Sequence, residues 1–580
     1  MQFNYVTEAV LTNIIIRNGY AYKGGGIYCF ESSPSLENVT ISGNSASRWG
    51  GGIYCTGSDP SLTNVTISCN SASEKGGGIY FINSNPNLSN VTICGNTSNL
   101  FGGGIYFYNT YPIFDPENRC NIYLNFSSTY GNDLFGSNDF SIDVIVDTFT
   151  VLNPTDYFAY PVNNFTFDIL NCMVEPVNQD LYVSPAGSNN NSGLTPDDPL
   201  LTISYALVKI IPASTDPGTI FLSNGTFSPS QTSEFFPLNC RSFISLNGES
   251  MNSAILDGEG MSRVLYCDND NNFSIQDLTI RNGNDEGGGI YFYHSSPSLE
   301  NVNIINNSAS NDGGGIYCIS SAPSFLNVII TNNSASDDGG GIYCVYSNPS
   351  FENVNIASNS ASNYGGGICC HHFSDPCLEN VTISDNNADS GGGIYCCNSS
   401  DPVLMNCILW DDSPQEVYFN GAANPNTITI SYSDIQGGEA GIITNNNGTV
   451  NWLEGNIDAD PLFADTLYHL SFASPCIDTG NPDPIYYDPE DPDNPGFALY
   501  PSMGTIINDM GAYGGPNASG WIYVSVEDEI FIEPVLCKLY QNYPNPFNPE
   551  TTIRFTTETT ENTELVIYNL KGQKIKTLEC

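Results

Sequence analysis

The sequence returns to three consecutive glycines at a fixed interval of 26 residues. The stretch GGGIYC at residues 24–29 recurs at 50–55. Most of the residues that follow the first copy, 30–49, are identical to those that follow the second, 56–75. Further glycine triplets begin at Gly76, Gly102, Gly287, Gly313, Gly339, Gly365 and Gly391. A fixed period of roughly 20–50 residues is typical of a solenoid, in which each repeat forms one coil that stacks on the next.

Within each repeat, apolar and polar residues alternate over short segments such as LENVTI at 36–41. Alternation with period two, bounded by glycine and proline, predicts short β-strands and not helices. Aligning the repeats gives columns of identical or similar apolar residues, and we expect these columns to point into a core. In the first repeat they are represented by Ile27, Cys29, Leu36, Val39 and Ile41.

A tyrosine lies between the isoleucine and the Cys or Phe of almost every repeat. Because successive residues of a strand face opposite sides, this column is predicted to face outward. The column consists of Tyr28, Tyr54, Tyr80, Tyr106, Tyr291, Tyr317, Tyr343 and Tyr395. Stacked aromatic residues stabilise neighbouring strands, and a strip of them also offers a flat, hydroxyl-edged surface to a glycan or another protein.

Two asparagine columns, which begin at Asn38 and Asn44, mark the points where the apolar alternation breaks. We expect these asparagines to form corners and to hydrogen-bond along the stack, with the glycines at a third corner. Three short strands and three corners in each coil predict a parallel β-helix, and parallel connections are almost always right-handed. The predicted fold class is therefore all-β, with two right-handed parallel β-helices in tandem and a small C-terminal Ig-like domain.

Shifts in composition divide the chain into six segments. The predicted segments are a first β-helix at 1–125, a connector at 126–180, a second β-helix at 181–435 with an N-terminal cap at 181–217, a Pro/Asp-rich segment at 436–515, a linker at 516–537 and a small β domain at 538–580. Residues 202–211 are the plausible helix of the cap, which would cover the open end of the second β-helix.

The formal net charge of -48 restricts the partners of this chain. No Lys or Arg occurs between Asn282 and Cys537. Binding to nucleic acid is excluded on this ground, since phosphate contacts need cations, and binding to an anionic bilayer is disfavoured for the same reason. Divalent cations, neutral glycans and basic proteins stay as potential partners.

The 19 cysteines are interpreted mainly as small core residues, because Cys and Phe alternate in one column. No stretch is long and apolar enough for a transmembrane segment. No signal peptide is present at Met1. Residues 16–19 repeat the IRNG of residues 280–283, and a long segment precedes the second copy. We therefore expect the natural chain to begin upstream of Met1, with its signal peptide in that upstream part.

Three parts of the chain resemble known families. The NSAS…GGGIY units resemble the repeats of polymorphic outer membrane proteins and the wider right-handed parallel β-helix group. SPCIDTG and NDMGAYGGP resemble the segment called choice-of-anchor Q. LYQNYPNPFNPETTIRF with LVIYNLKGQKIKTL is similar to the C-terminal sorting domain that the type IX (Por) secretion machinery reads, although it stops early. This last resemblance implies export, followed by release or attachment at the outer-membrane surface.

Parallel β-helices also host polysaccharide lyases and hydrolases, so an enzyme is an alternative that depends on suitable catalytic groups. A lyase needs a strong base and cations for a uronate, and the first repeats offer Arg17, Lys23, Arg48, Lys75 and Arg119 as scattered candidates. A hydrolase needs two carboxylates at a matched separation. The adjacent pairs Asp337–Asp338 and Asp411–Asp412 were interpreted as solvated turn carboxylates, so no catalytic residue is predicted.

Two segments were considered as metal sites. The run CCHHFSDPC contains Cys369, Cys370, His371, His372 and Cys377, which are potential zinc ligands, but alternate strand residues face opposite ways and Cys370 belongs to the core column. An acidic run offers carboxylates that suit calcium, and it comprises Asp483, Asp488, Glu490, Asp491 and Asp493. Calcium is the single cofactor that the sequence suggests, and a solvated loop is the alternative.

These observations predict a secreted or surface-attached β-helix protein with a binding or adhesive role. The predicted partners are the type IX machinery through 538–580, and a glycan or surface protein through the tyrosine column. A polysaccharide lyase or glycoside hydrolase of the β-helix class is one alternative, and a structural element of a surface layer is another.

Overall fold

The computed structural model describes residues 1–6, 8–137, 141–422 and 424–523, together with the backbone of four short strands near the C-terminus. Met1–Tyr523 form one compact unit, and Val524–Cys580 form a second one. The strands of the first unit are nearly all parallel to their neighbours and fall into two sets of sheets. We name these sets the first solenoid segment, residues 2–172, and the second solenoid segment, residues 181–452.

The first solenoid segment consists of four sheets. The sheet that carries the tyrosines contains Gln2–Asn4, Ile27–Phe30, Ile53–Thr56, Ile79–Ile82, Ile105–Tyr108, Leu134–Ser137 and Ala159–Tyr160. The next contains Val10–Thr12, Ser35–Glu37, Ser61–Thr63, Asn87–Ser89 and Ile113–Phe114. A third contains Ile15–Arg17, Thr40–Ser42, Thr66–Ser68, Thr92–Cys94, Cys120–Tyr123, Ile142–Phe149 and Phe165–Cys172. The fourth contains Tyr20–Lys23, Ser45–Trp49, Ser71–Ala72, Thr97–Ser98 and Phe126–Ser127.

The second solenoid segment consists of three sheets. The largest contains Leu181–Val183, Gly218–Leu222, Gly225–Phe227, Ile244–Gly248, Ala254–Asp257, Ser274–Arg281, Ser298–Ile305, Ser324–Thr331, Ser350–Ala357, Cys377–Ser384, Val403–Met405, Ile408–Trp410, Asn426–Ser431, Asp434–Ile435 and Gly448–Trp452. The tyrosine-bearing sheet contains Leu238–Asn239, Leu265–Asp268, Ile290–Tyr293, Ile316–Ile319, Ile342–Val345, Ile368–His371, Ile394–Cys397 and Val417–Phe419. The smallest contains Ser308–Ala309, Ser334–Ala335 and Ser360–Ala361.

Helical structure is sparse and short. The α-helices are Ile203–Lys209 and Gly438–Gly441, and the 3-10 helices are Val162–Asn164, Pro484–Tyr486 and Ala518–Tyr523. In the second unit, Lys538–Leu539 pairs with Phe555–Thr556 and Glu564–Tyr568 with Lys574–Glu579, both antiparallel. The predictions of two separate tandem β-helices and of an Ig-like C-terminal domain stay predictions.

Equivalent residues of successive repeats lie beside one another in the sheets, as the repeat predicts. Ile27 is paired with Ile53, and Tyr28 with Tyr54, in the parallel register of adjacent strands. The predicted inward columns are buried: Ile27, Leu36 and Ile41 are at most 1% exposed. Each fully buried aliphatic side chain contributes about 1.5–3 kcal/mol, so these columns are the main source of stability. The all-β solenoid prediction is confirmed.

The buried asparagine column forms a continuous ladder of hydrogen bonds. Asn44 Nδ2 donates to Asn70 Oδ1 at 2.9 Å, and Asn70 Nδ2 donates to Asn96 Oδ1 at 2.9 Å. Asn70 Nδ2 also donates to Ile41 O, so each amide satisfies backbone groups at the corner as well. The second solenoid segment repeats this arrangement from Asn307 to Asn386. Such satisfied networks fix the position of a corner, because unpaired buried amides are costly.

The glycine triplets lie where two coils approach most closely. Gly50 has a φ of +66°, and a Cβ atom there would lie 2.4 Å from Ile53 O. A Cβ on Gly51 would lie 2.3 Å from Ser71 O and 2.4 Å from Gly77 O. Glycine is therefore required at these positions by both conformation and space.

The strands of the first solenoid segment extend beyond residue 125, which was the predicted end of the first β-helix. Ile142–Phe149 pairs with Cys120–Tyr123, and Phe165–Cys172 pairs with Ile142–Phe149. These coils lack the 26-residue period because their turns differ in length while their strands keep the sheet pairing. The second solenoid segment likewise continues past residue 435, to Gly448–Trp452.

The predicted capping helix is present as Ile203–Lys209, with Thr202 at its N-cap. Ile203, Ala206, Leu207 and Ile210 pack in the core of the second solenoid segment. Val208 packs with the core residues of the first segment instead. The helix therefore covers the end of one core and also contacts the other.

Residues 463–515, within the Pro/Asp-rich segment, fold back onto the largest sheet of the second solenoid segment. Asn353 Nδ2 donates to Ala512 O at 2.9 Å, and Asn380 Nδ2 donates to Asp509 O at 2.8 Å. These asparagines belong to the column that begins with Asn38, whose members bond to one another in the first segment. The same repeat position thus serves as a docking point in the second segment.

Candidate functional site

The tyrosine column forms two ladders of stacked rings. In the first solenoid segment, the ring centroids of Tyr54 and Tyr80 lie 5.3 Å apart, and those of Tyr80 and Tyr106 lie 4.8 Å apart. In the second segment, Tyr291 and Tyr317 are 5.1 Å apart. The ladders lie on the side of the sheet away from the core and form clusters separate from it. The outward direction of the column is therefore confirmed.

The expectation that this column presents a flat exposed strip is wrong. Tyr54, Tyr80 and Tyr106 are each only 4% exposed. Tyr343 is 8% exposed and Tyr395 1%, whereas Tyr28, Tyr291 and Tyr317 are partly buried. The rings cover one another, and residues from the turn before each glycine triplet cover their outer edges. Most of the ladder is thus a second apolar layer, and the predicted binding role of the column stays a prediction.

Aromatic and cationic residues cover the first ladder. The Trp49 ring stacks at 5.3 Å from the Tyr80 ring. Lys23 Nζ lies 4.1 Å from the Trp49 ring centroid, and Lys75 Nζ lies 5.1 Å from that of Tyr106. Arg48 pairs with Glu74 at 3.0 Å and lies 4.3 Å from Trp49. Three of the cations considered for a lyase are therefore engaged in cation–π contacts.

Acidic residues occupy the same turn in the second solenoid segment. One ligand oxygen each from Asp312, Asp337 and Asp338 lies within 4.8 Å of the other two. Burial, reinforced by the two neighbouring carboxylates, raises the pKa of Asp338 to about 7. The interpretation of Asp338 as a freely solvated carboxylate is wrong, because Asp338 is partly buried beside Tyr343.

A groove opens where the first ladder ends. It has a volume of about 750 Å³ and is lined by Asn83, Tyr108, Asn109, Phe135, Gly136, Ser137, Tyr160, Pro161 and Asn164. We name it the ladder-end groove. Tyr108 is 44% exposed, and Asn109 Nδ2 donates to Asn83 Oδ1 at 2.7 Å. None of the described residues that line this groove is charged.

The five residues of the predicted calcium loop do not converge. Asp483 caps the 3-10 helix Pro484–Tyr486, Glu490 accepts from Gly496 N at 2.7 Å, and Asp491 accepts from Asp493 N at 2.9 Å. Asp488 is buried and accepts from Asp509 N at 3.2 Å. In the described ranges, no three of the five bring ligand atoms within 4.8 Å of one another. Calcium binding by this loop stays a prediction without geometric support.

The potential zinc ligands are also separated. The two adjacent cysteines lie on opposite faces of one strand: Cys370 lies in the core column between Cys344 and Cys396, whereas Cys369 lies in the tyrosine column between Tyr343 and Tyr395. Cys377 is exposed on another strand. The interpretation of Cys370 as a core residue is confirmed by its complete burial.

The interpretation of Asp411 and Asp412 as two solvated carboxylates is wrong for Asp412. Asp411 is exposed, but Asp412 is buried and ends the asparagine ladder of the second segment. Burial raises the pKa of Asp412 and of its neighbour Glu416. The signal for this role was its spacing: Asp412 lies 26 residues after Asn386.

Sequence reasoning also missed the residues that shape the ladder-end groove. Phe135 continues the first ladder, 4.8 Å from Tyr106, and Tyr160 stacks 5.7 Å from Phe135. Both lie in coils without the glycine triplet, so no repeat alignment reaches them. For Phe135, the available signal was an aromatic residue shortly after the Gly131–Asn132 turn.

Comparison with known families supports the fold and the export signal. Residues 263–457 match the right handed beta helix region, and residues 38–56 match the Chlamydia polymorphic membrane protein repeat. Residues 541–580 match the secretion system C-terminal sorting domain. The chain is therefore a parallel β-helix repeat protein with a C-terminal type IX sorting domain. These matches identify an exported protein of the cell surface or outer membrane.

Similarity to individual proteins is weak. A crystal structure of pectate lyase Pel9A aligns with a TM-score of 0.39 and 13% identity, over 59% of this chain and 98% of that chain. No curated protein matches the sequence. Among the described residues, no helix has the length and apolar character to cross a membrane.

Proposed function

We propose that this exported β-helix protein binds neutral glycans and has an adhesive role at the cell surface. The observation that carries the proposal is the ladder-end groove, which combines aromatic rings with amide side chains and has no charge on the described residues that line it. Sugar rings pack on aromatic faces, and amides both donate to and accept from sugar hydroxyls. The volume of the groove lies within the range of about 300–1,000 Å³ for small-molecule sites.

The disposition of the cations favours binding over elimination chemistry. A lyase needs an unengaged base and a cation beside the uronate carboxylate. Lys23, Arg48 and Lys75 lie instead against Trp49 and the tyrosine ladder. A neutral ligand also suits a chain whose net charge of -48 would repel acidic polysaccharides.

The proposal is tested by probing a glycan array with the full chain and with two variants, Tyr108→Ala and Asn109→Ala. We expect both variants to lose at least tenfold in affinity for the neutral glycans that the parent retains. Tyr20→Ala is the matched control, because Tyr20 is 76% exposed on the first solenoid segment but does not line the groove.

Equal retention by Tyr108→Ala and the parent would contradict the assignment of the groove. The same preparation should be incubated with polyuronates and calcium, with release of unsaturated products followed by absorbance. Sustained turnover in that assay would overturn the binding proposal in favour of a lyase.

A further inference from the structure

A second cavity lies where the two solenoid segments meet. It has a volume of about 380 Å³, and we name it the junction pocket. Tyr130 and Tyr157 reach it from the first segment, and Arg241, Tyr266 and Asp270 reach it from the second. Its size is near the lower end for small-molecule sites, which suits a single ring-shaped ligand.

Arg241 is the central group of this pocket. Its side chain is buried, with the whole residue 8% exposed, and Nη1 donates to Leu207 O at 2.5 Å and to Ile210 O at 3.1 Å. The guanidinium carbon lies 4.4 Å from the Tyr157 ring centroid. Nε and Nη2 donate to no group in the described part of the chain. Neither nitrogen is among the buried atoms that lack a partner, so both stay accessible from the pocket, where a ligand can accept from them in place of water.

Two carboxylates across the pocket provide acceptors. Asp268 accepts from the hydroxyls of Tyr130 and Tyr266 and from Asn269 Nδ2. Asp270 accepts from Ser242 N at 2.8 Å and from Asp268 N at 3.3 Å. A carboxylate has about four acceptor positions, so each group keeps capacity for a ligand hydroxyl. The tyrosine hydroxyls that bond to Asp268 also hold this carboxylate in place.

The charge of the lining restricts the ligand. Asp156, Asp268 and Asp270 contribute three carboxylates, against the single guanidinium of Arg241. Burial raises the pKa of Asp270 to about 6, which leaves it mostly ionised at neutral pH. An anionic ligand would therefore meet a net negative pocket, whereas a neutral hydroxyl can both accept from Arg241 and donate to Asp270.

We infer that the junction pocket binds one neutral sugar residue, which Arg241 and Asp270 hold by its hydroxyls and the surrounding tyrosines contact by their rings. This inference rests on the proposed glycan-binding function and adds a second site to it. A terminal residue of a glycan is the form that fits, because the pocket is too small for a chain of several sugars.

The test is a titration of the full chain with glucose, galactose and mannose, and with glucuronate and galacturonate, followed by calorimetry and saturation-transfer NMR. We expect at least one neutral sugar to bind, and every uronate to bind at least tenfold more weakly. Arg241→Lys retains the charge but loses the planar fork, so it should reduce neutral-sugar affinity at least tenfold. Arg119→Lys is the matched control, because Arg119 is partly buried and pairs with an exposed carboxylate, that of Asp168.

A variant at the rim keeps the test independent of the stability of Arg241→Lys. Thr129 lines the pocket and is only partly buried, so Thr129→Trp should fill part of it and lower the affinity for neutral sugars at least tenfold. The melting temperature of this variant is measured in parallel, because Thr129 Oγ1 donates to Leu100 O. Binding of neutral sugars to Thr129→Trp with the affinity of the parent would overturn the inference. Uronates that bind as tightly as neutral sugars would overturn it as well.

The two proposals fail in distinguishable ways. Retention of glycans that depends on Tyr108, without any binding of single sugars, would refute the junction pocket alone. Binding of single sugars that is lost in Arg241→Lys, without any dependence on Tyr108, would support the pocket and refute the ladder-end groove. Absence of binding to both the array and the single sugars would refute both.

Discussion

Asn386 donates its Nδ2 to Asp412 Oδ1 at 2.9 Å, and the second asparagine ladder ends at this bond. The first ladder ends in the same way, with Asn125 Nδ2 donating to Asp133 Oδ1 at 2.9 Å. Along each ladder the amides point in one direction, so the last side chain only has to accept. In both ladders an aspartate supplies that accepting oxygen.

Burial of the terminal carboxylate makes stability depend on pH. Burial raises the pKa of Asp133 to about 7, whereas an unfolded aspartate titrates near 3.9. The folded state therefore holds a proton that the unfolded state has lost, and this contribution to stability falls as pH rises from about 4 to 7. We expect the melting temperature of the parent to be lower at pH 8 than at pH 5.

The variant Asp133→Asn should remove this contribution, since an amide oxygen accepts from Asn125 as well as a carboxylate does. At pH 8 the coil that contains residue 133 should have a free energy of unfolding about 1–4 kcal/mol higher in the variant than in the parent. At pH 4 the two should differ little. Scanning calorimetry at the two pH values measures the difference, with Asp197→Asn on the surface as control. A stability loss at pH 8 would show that the negative charge itself is needed at the end of the ladder.

Replacement of Tyr80 tests the structural role of the tyrosine ladder. Tyr80 stacks on Tyr54, Tyr106 and Trp49 and is 4% exposed. Tyr80→Ala removes a buried ring and should lower the free energy of unfolding by about 3–5 kcal/mol, as for other buried aromatic residues. Tyr80→Phe keeps the ring and should stay within about 0.5 kcal/mol of the parent. Urea unfolding followed by near-UV circular dichroism compares the two, and an equal loss in both would contradict ring stacking as the cause.

Docking of the segment around Asp509 is testable through a pair of equivalent asparagines. Asn380 and Asn38 occupy the same repeat column, with φ values of 50° and 56°, which glycine adopts without strain. Asn380 Nδ2 donates to Asp509 O and Gly511 O, whereas Asn38 Nδ2 donates to Asn13 Oδ1. Asn380→Gly should therefore expose residues 476–515 to protease at least several times faster than the parent, and Asn38→Gly should not. Identical cleavage rates in both variants would show that the segment is held by other contacts.

The repeat made the core predictable, because Ile27 and its equivalents recur with a period that only a stacked strand satisfies. The burial of the tyrosine ladder was not predictable, because the residues that cover it directly precede the glycine triplets and differ between repeats. Trp49 and Phe101 hold this position in the first segment, and Asp312 holds it in the second. The junction pocket could not be predicted from the sequence for a different reason. Arg241 and Tyr157 lie in segments without the repeat, and only the meeting of the two solenoid segments brings them together.

Cysteine reactivity separates core thiols from surface thiols. Cys318, Cys344, Cys370 and Cys396 are paired in register in the core and are fully buried, whereas Cys69 and Cys377 are exposed. Burial raises the pKa of Cys318, so its thiolate is scarce at neutral pH as well as inaccessible. Iodoacetamide at pH 8 should label Cys69 first, Cys377 more slowly because burial and Glu379 raise the pKa of its thiol, and the four core cysteines only after addition of urea, as peptide mass spectrometry would measure.

The same core position should tolerate an apolar side chain but not a hydroxyl. Phe81 and Phe107 occupy it in other coils, which indicates that Cys344 acts as an apolar residue there. Cys344→Val should change the free energy of unfolding by less than about 1.5 kcal/mol, because it adds only about one methyl group at a position that takes phenylalanine in other coils. Cys344→Ser leaves a hydroxyl without a partner in an apolar core and should lose about 1–3 kcal/mol. Equal stability of the serine and valine variants would mean that the thiol contributes by something other than apolar packing.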